Sequence, residues 1–247
     1  MTAPRRAETR PVAEELPSDG PLMRSPIHRM HQALEARLAV EGGWEVPAGY
    51  ASDADERRAL DEAVGLADIT ARGKVDLRGT LEPVLERLGL GGPAARHGEV
   101  VALAPGAGDG AAQLARISSR WALALCPHTD LRPRLAQLGE AAAGTSAMVT
   151  DATSLHAGLA VAGPRTLAAL SRICALDLAR LGPATCVATR VAEIHAIVVR
   201  RELPGRVLEV YVGSEYGRYA WETLLDSVRA EGGRPVGWPA LRALGWW

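Results

Sequence analysis

Two strand-then-helix signals recur along this chain at nearly the same offset, and no other sequence feature limits its fold as strongly. Lys74-Val75-Asp76-Leu77-Arg78 alternates with the period of a strand, and Gly79-Thr80 then opens a helical pattern of Leu81, Val84, Leu85 and Leu88. Leu159-Ala160-Val161-Ala162 also reads as a strand, Gly163-Pro164 as a turn, and Leu167, Leu170 and Ile173 as one helix face. Gly79 and Gly163 lie 84 residues apart. A second pair follows. Trp121 to Leu125 is a strand before a helix from about Asp130 to Leu138; Leu208 to Val212 is a strand before a helix from about Glu215 to Val228. Leu125 and Val212 are 87 apart. The pattern predicts an internal duplication, with halves at about 25–138 and 146–247 joined through Gly139 to Thr145. Clustered strands with flanking helices predict an α+β class, built on a mixed or antiparallel sheet that the halves share.

The N-terminal stretch reads differently. Residues 1–24 hold Pro4, Pro11, Pro17 and Pro21 among charges and predict a disordered tail. Ser25-Pro26 is a helix start, followed by Ile27, Met30, Leu34 and Leu38 at helical spacing, with Gly42-Gly43 as the stop. Ser52, with Asp55 three residues on, predicts a second capped helix that ends near Gly65. The composition is 47% hydrophobic and 23% charged, ordinary for a globular protein. A net charge of −1 shows none of the basic excess expected of a nucleic-acid partner. No run reaches the roughly 18 apolar residues a membrane helix needs, so no membrane role is expected. The three cysteines, Cys126, Cys174 and Cys186, are widely spaced and predict buried or free thiols in a reducing cytoplasm.

Few local motifs carry chemistry. Gly106-Ala-Gly108-Asp-Gly110 follows the apolar run Val100 to Ala104, and Asp130 stands 24 residues after Gly106. A nucleotide cradle would want GxGxxG and a crossover helix longer than Ala111 to Ser118 can supply, so the run reads as a hairpin loop. Cys126-Pro-His128 has no second ligand pair, and no metal site is expected. His28 and His31 sit at i, i+3 on a solvated helix face; His156 and His195 fit half-exposed strands. Within Val207 to Val212, alternation places Val207, Glu209 and Tyr211 on one face and Leu208, Val210 and Val212 on the other. Glu209 is then either a solvated surface carboxylate or a ligand for a donor-rich heterocycle.

Several blocks resemble the glycine cleavage T protein (aminomethyltransferase) family. Glu41-Gly42-Gly43-Trp44-Glu45-Val46-Pro47-Ala48-Gly49-Tyr50 is similar to the family's GGWExPxxY stretch. Glu56 to Leu60, Ala63 to Thr70, and Gly73-Lys74-Val75 with Arg78-Gly79 resemble its next block in the same order, and Gly163-Pro164 its GP turn. Cys174 to Leu178 and Cys186 to Ala192 look more like the gamma subunit of heterotetrameric sarcosine oxidase, a relative. The resemblance covers Ser25 to about Leu244. It implies a duplicated folate-binding fold, tetrahydrofolate as cofactor and transfer of a one-carbon unit to it. Glu209 falls where the family has the glutamate that hydrogen-bonds the pterin. With Trp44 and Tyr50 it makes up the candidate cofactor-binding set.

The departures bear on activity. The family's SHM is replaced by Thr70-Ala71-Arg72, and the YTGExG run before the glutamate by Glu202 to Val207. The family's paired aspartates align with Ala111-Ala112-Gln113, leaving Asp109 as the nearby candidate catalytic carboxylate, or as the cap of an exposed turn. The family's C-terminal barrel domain is not expected. The resemblance therefore implies a folate-binding protein with an eroded catalytic site, or a non-catalytic gamma-like subunit of a flavin-dependent amine oxidase. Trp246-Trp247 is either a partner or self-association surface or a pair of indoles folded back over the core.

Overall fold

The computed structural model describes residues 21–92, 95–104, 112–203 and 206–246. Its first elements are strand β1 (Met23–Arg24), helix α1 (His28–Ala33) and the hairpin β2 (Arg37–Glu41) and β3 (Trp44–Gly49). β1 runs parallel to β3, so ordered structure begins ahead of Ser25; residues 1–20 of the expected tail lie outside the described residues. The expected helix through Leu38 is cut short. Glu35 turns left-handed at φ 53, and Leu38 joins β2. Gly42 and Gly43, at φ 56 and 82, form the hairpin turn and do not stop a helix. Short apolar runs fit either period, and here the strand period wins. Helix α2 (Asp53–Glu62) begins as expected, with the Ser52 hydroxyl accepting from the Asp55 amide at 3.2 Å; Gly65 opens the next strand.

Two large sheets follow. One has five strands in the order β6 (Val100–Ala102), β7 (Gln113–Ser118), β8 (Trp121–Cys126), β5 (Gly73–Arg78), β9 (Met148–Asp151). The other has six in the order β11 (Thr185–Val191), β12 (Ile194–Arg200), β13 (Val207–Gly213), β10 (His156–Ala162), β4 (Gly65–Asp68), β14 (Arg234–Pro235). The single shared sheet expected from sequence is not what forms: the halves build two sheets and trade strands. β4 pairs with β10 of the later half, and β9 pairs with β5 of the earlier half. The Gly–helix turns repeat in detail. Gly79 and Gly163 take φ 119 and 126, and a Cβ on either would fall within 3 Å of backbone from the segment leading into the exchanged strand, at Ser146 or Ala63.

Helices cover the outer faces. α3 (Glu82–Arg87) and α4 (Leu131–Ala142) pack on the five-stranded sheet with Val75, Leu77, Ala122 and Ala124. α5 (Thr166–Ser171) and α6 (Gly217–Ala230) pack on the six-stranded sheet with Leu208, Val210 and Val212. The inner faces meet in a third core that includes Leu123, Leu125, Val199, Val207, Tyr211 and Trp246. Both faces of β13 are therefore buried, which rules out the solvated reading of Glu209. Helix α7 (Trp238–Arg242) closes the inner core; the buried Glu56 carboxylate accepts from the amides of Tyr50, Ala51 and Gly237 and ties α7 to the loop after β3. The stretch Gln113 to Ser118 is a strand rather than the helix a nucleotide cradle would need, and the glycine run 106–110 lies outside the described residues.

Candidate functional site

The turn between β4 and β5 closes with the Arg72 amide donating to Ile69 and aims Arg72 between the sheets. There one guanidinium nitrogen, Nη1, bridges both Glu209 oxygens, at 2.6 Å from Oε1 and 2.7 Å from Oε2. The Trp246 indole N–H donates to Oε1 at 2.8 Å, and the Tyr211 hydroxyl to Oε2 at 2.8 Å. Arg201 stands 3.7 Å from Oε1. Arg72 and Glu209 are wholly buried. Burial alone would push the Glu209 carboxyl up; the Arg72 and Arg201 charges and the two hydrogen bonds outweigh it and hold it below its usual range. Arg201 makes no such hydrogen bond: its Nε and Nη1 are buried without a partner among the described residues. Burial and then the Arg72 charge pull its guanidinium down.

Lys74, the only lysine of the chain, lies beneath this turn and donates to the Thr70 and Arg72 carbonyls at 2.7 and 2.9 Å. Burial pulls its ammonium down from 10.5 to about 7, against the attraction of Asp68. Above pH 7 the folded state gives up this proton, while an unfolded lysine keeps it to about 10.5. The unfolded state then binds more protons, so this group makes stability rise with pH, by about 1.4 kcal/mol per unit. The buried Cys126 and Cys186 thiols, raised to about 11 and 12, oppose it, so between pH 7.5 and 9 urea denaturation is expected to show the rise as the wild type gaining stability relative to Lys74→Met.

Tyr50 does not join Glu209. Its hydroxyl meets His31 Nδ1 at 2.8 Å, His31 Nε2 meets Asp68 at 2.7 Å, and the Tyr50 ring stacks on Trp221 in the core beneath α6. His31, expected on a solvated face, is buried in this chain of contacts. Trp44 lies in the inner core with Glu209, edge-on to His128 at 5.8 Å. Asp109 lies outside the described residues. Trp246 folds back and is fully buried, so its indole offers no docking surface; Trp247 lies outside the described residues. Cys126, Cys174 and Cys186 are buried free thiols. Among the described residues no His, Cys, Asp or Glu group could hold a metal ion, and no helix is long and apolar enough to cross a membrane.

A family model described as the GCVT N-terminal domain matches residues 115–245, more than half of the chain. The chain belongs to this family. Within it, an aminomethyltransferase of Rubrobacter xylanophilus is 30% identical over 222 residues, covering 87% of this chain and 59% of that relative. One from Saccharopolyspora erythraea is 26% identical over 221 residues, covering 86% and 60%. The chain thus spans about three fifths of the length of these curated relatives. Among solved structures, the glycine cleavage system aminomethyltransferase T from Bartonella henselae superposes with a TM-score of 0.78 at 20% identity, covering 90% of this chain and 62% of that one. A chain of the heterotetrameric sarcosine oxidase from Corynebacterium sp. U-96 superposes at 0.60 and 20%, covering 85% and 97%. The fold is that of the GCVT family: α+β, duplicated, with mixed sheets and flanking helices.

The surroundings of Glu209, the residue that the resemblance sets at the pterin, do not fit a pterin. A carboxylate offers about four lone-pair sites, and at Glu209 they already meet Arg72 twice, Tyr211 and Trp246. Arg72 was visible in sequence only as a departure from the family's SHM, and Arg201 and Trp246 gave no sign of converging on Glu209. The ion pair spans 137 residues, a distance at which strand periodicity is silent.

Proposed function

We propose that this chain is a non-catalytic member of the GCVT family, a subunit-type protein with an eroded folate site. The engagement of Glu209 by Arg72, Tyr211 and Trp246 carries the reading. A group that reads substrate must have hydrogen-bonding capacity left to offer, and this one is saturated from within. Around the family's aspartates, Ala112 and Gln113 bring no charge to stabilise a developing cation. The superposition on a chain of heterotetrameric sarcosine oxidase, at a TM-score of 0.60, supports a protein partner of the flavin-dependent amine oxidase type. Calorimetry with tetrahydrofolate on the purified chain, with an assay of methylene-tetrahydrofolate formation, tests the proposal. The expected result is neither micromolar binding nor turnover. Micromolar binding that disappears in Glu209→Gln, once that variant is shown to be folded, would restore a pterin site and overturn the reading.

A further inference from the structure

A cavity of about 830 Å³ opens between the two sheets, and Glu209 is not among its lining residues. Strand register lays out its floor. One row crosses the ladder as Ala188, Ile197 and Tyr211; the next crosses as Arg190 and His195, and Gly213 continues toward His156. Trp121, from the opposite sheet, forms the facing wall. That wall is rigid. The Trp121 indole N–H donates to Asp76 at 2.6 Å, and the Arg78 guanidinium lies over the ring at 3.9 Å from its centroid. One aromatic wall, standing over a floor that the otherwise buried Tyr211 ring reaches, suits a flat ring.

The polar groups are equally specific. His156 Nδ1 is buried with no hydrogen-bond partner among the described residues, and burial, with the Lys74 charge, lowers the imidazole pKa. Gly213 has no side chain in its row, and the Glu215 carboxylate occupies that gap: a Cβ on Gly213 would stand 2.7 Å from both its oxygens. Arg190 comes from the other side of the same floor. Neither charge has an ion-pair partner among the described residues. A cavity of this size takes a bicyclic molecule.

We propose that the cavity binds an aromatic zwitterion, an α-amino acid with a flat side chain. Its ring lies against Trp121 over the cavity floor, its carboxylate meets Arg190, its ammonium meets Glu215, and His156 offers a hydrogen bond to the buried ring edge. The site needs neither Glu209 nor folate, so it stands or falls separately from the proposed function.

Calorimetry on the purified chain with L-tryptophan, tryptamine and indole-3-propionate tests this. L-tryptophan is expected to bind at least about tenfold tighter than either singly charged analogue, one charge-assisted contact being lost in each. Arg190→Ala, at an exposed position, is expected to weaken L-tryptophan about tenfold and to leave tryptamine unchanged. Trp121→Ala is expected to abolish binding, with circular dichroism to establish its fold. Equal affinity for all three probes, no binding of any, or an Arg190→Ala variant that binds L-tryptophan like the wild type would each overturn the proposal.

Discussion

Glu209→Gln is expected to cost about 3–5 kcal/mol of folding stability, the range for leaving a buried charge without its counter-charge. The change is nearly isosteric, so packing is preserved and the loss is electrostatic. It leaves the Arg72 and Arg201 guanidinium groups facing each other in the inner core with no anion between them. Total stabilities of single domains run to about 5–15 kcal/mol, so a loss of this size is a large fraction of the whole. Urea denaturation at neutral pH measures it directly. Arg201→Met sharpens the result. The Arg201 Nε and Nη1 atoms have no hydrogen-bond partner among the described residues and Nε stands 3.7 Å from Glu209, while burial opposes the guanidinium charge. Removing it is expected to be neutral or mildly stabilising. A large loss in Arg201→Met with little change in Glu209→Gln would show that the cluster is held together in some other way.

Trp246→Ala is expected to cost a similar amount, about 3–5 kcal/mol, through the transfer and cavity terms of deleting a buried indole. Trp246 is fully buried, packs edge-on against Trp238 at 5.7 Å and donates to Glu209. Trp246→Phe separates the contributions. It keeps much of the apolar volume and loses the N–H, for an expected cost of about 1–2 kcal/mol. Denaturant midpoints of the two variants check the difference. If Trp246→Ala leaves the midpoint unchanged, the indole is not part of the folded core.

The contrast between these two residues explains what could be read from the chain alone. The strand–glycine–helix repeat at Gly79 and Gly163 was legible because both glycines answer the same local demand, a positive φ against approaching backbone. The alternation of Val207 to Val212 was legible for the same reason: it is a property of adjacent residues. What decided the role of Glu209 was not local. Arg72 reaches it from another strand connection and Trp246 from the far end of the inner core, and neither leaves a periodic trace. The helix–strand error at Leu38 is of another kind, since a run of a few apolar residues fits both periods until tertiary pairing selects one. Tyr50 and Trp44 entered by family resemblance as neighbours of one site. The hairpin places them on different sides of the six-stranded sheet.

The trading of β4 and β9 between the sheets makes the duplication a mutual dependency. Neither half holds all the strands of its own sheet, because each supplies the edge or neighbour that the other lacks. A half taken alone would therefore leave a strand edge unpaired, at β10 in the later half and at β5 in the earlier one. The connection near Gly144 makes that pairing a loop closure within one chain and sets the effective concentration of each exchanged strand for its partner sheet.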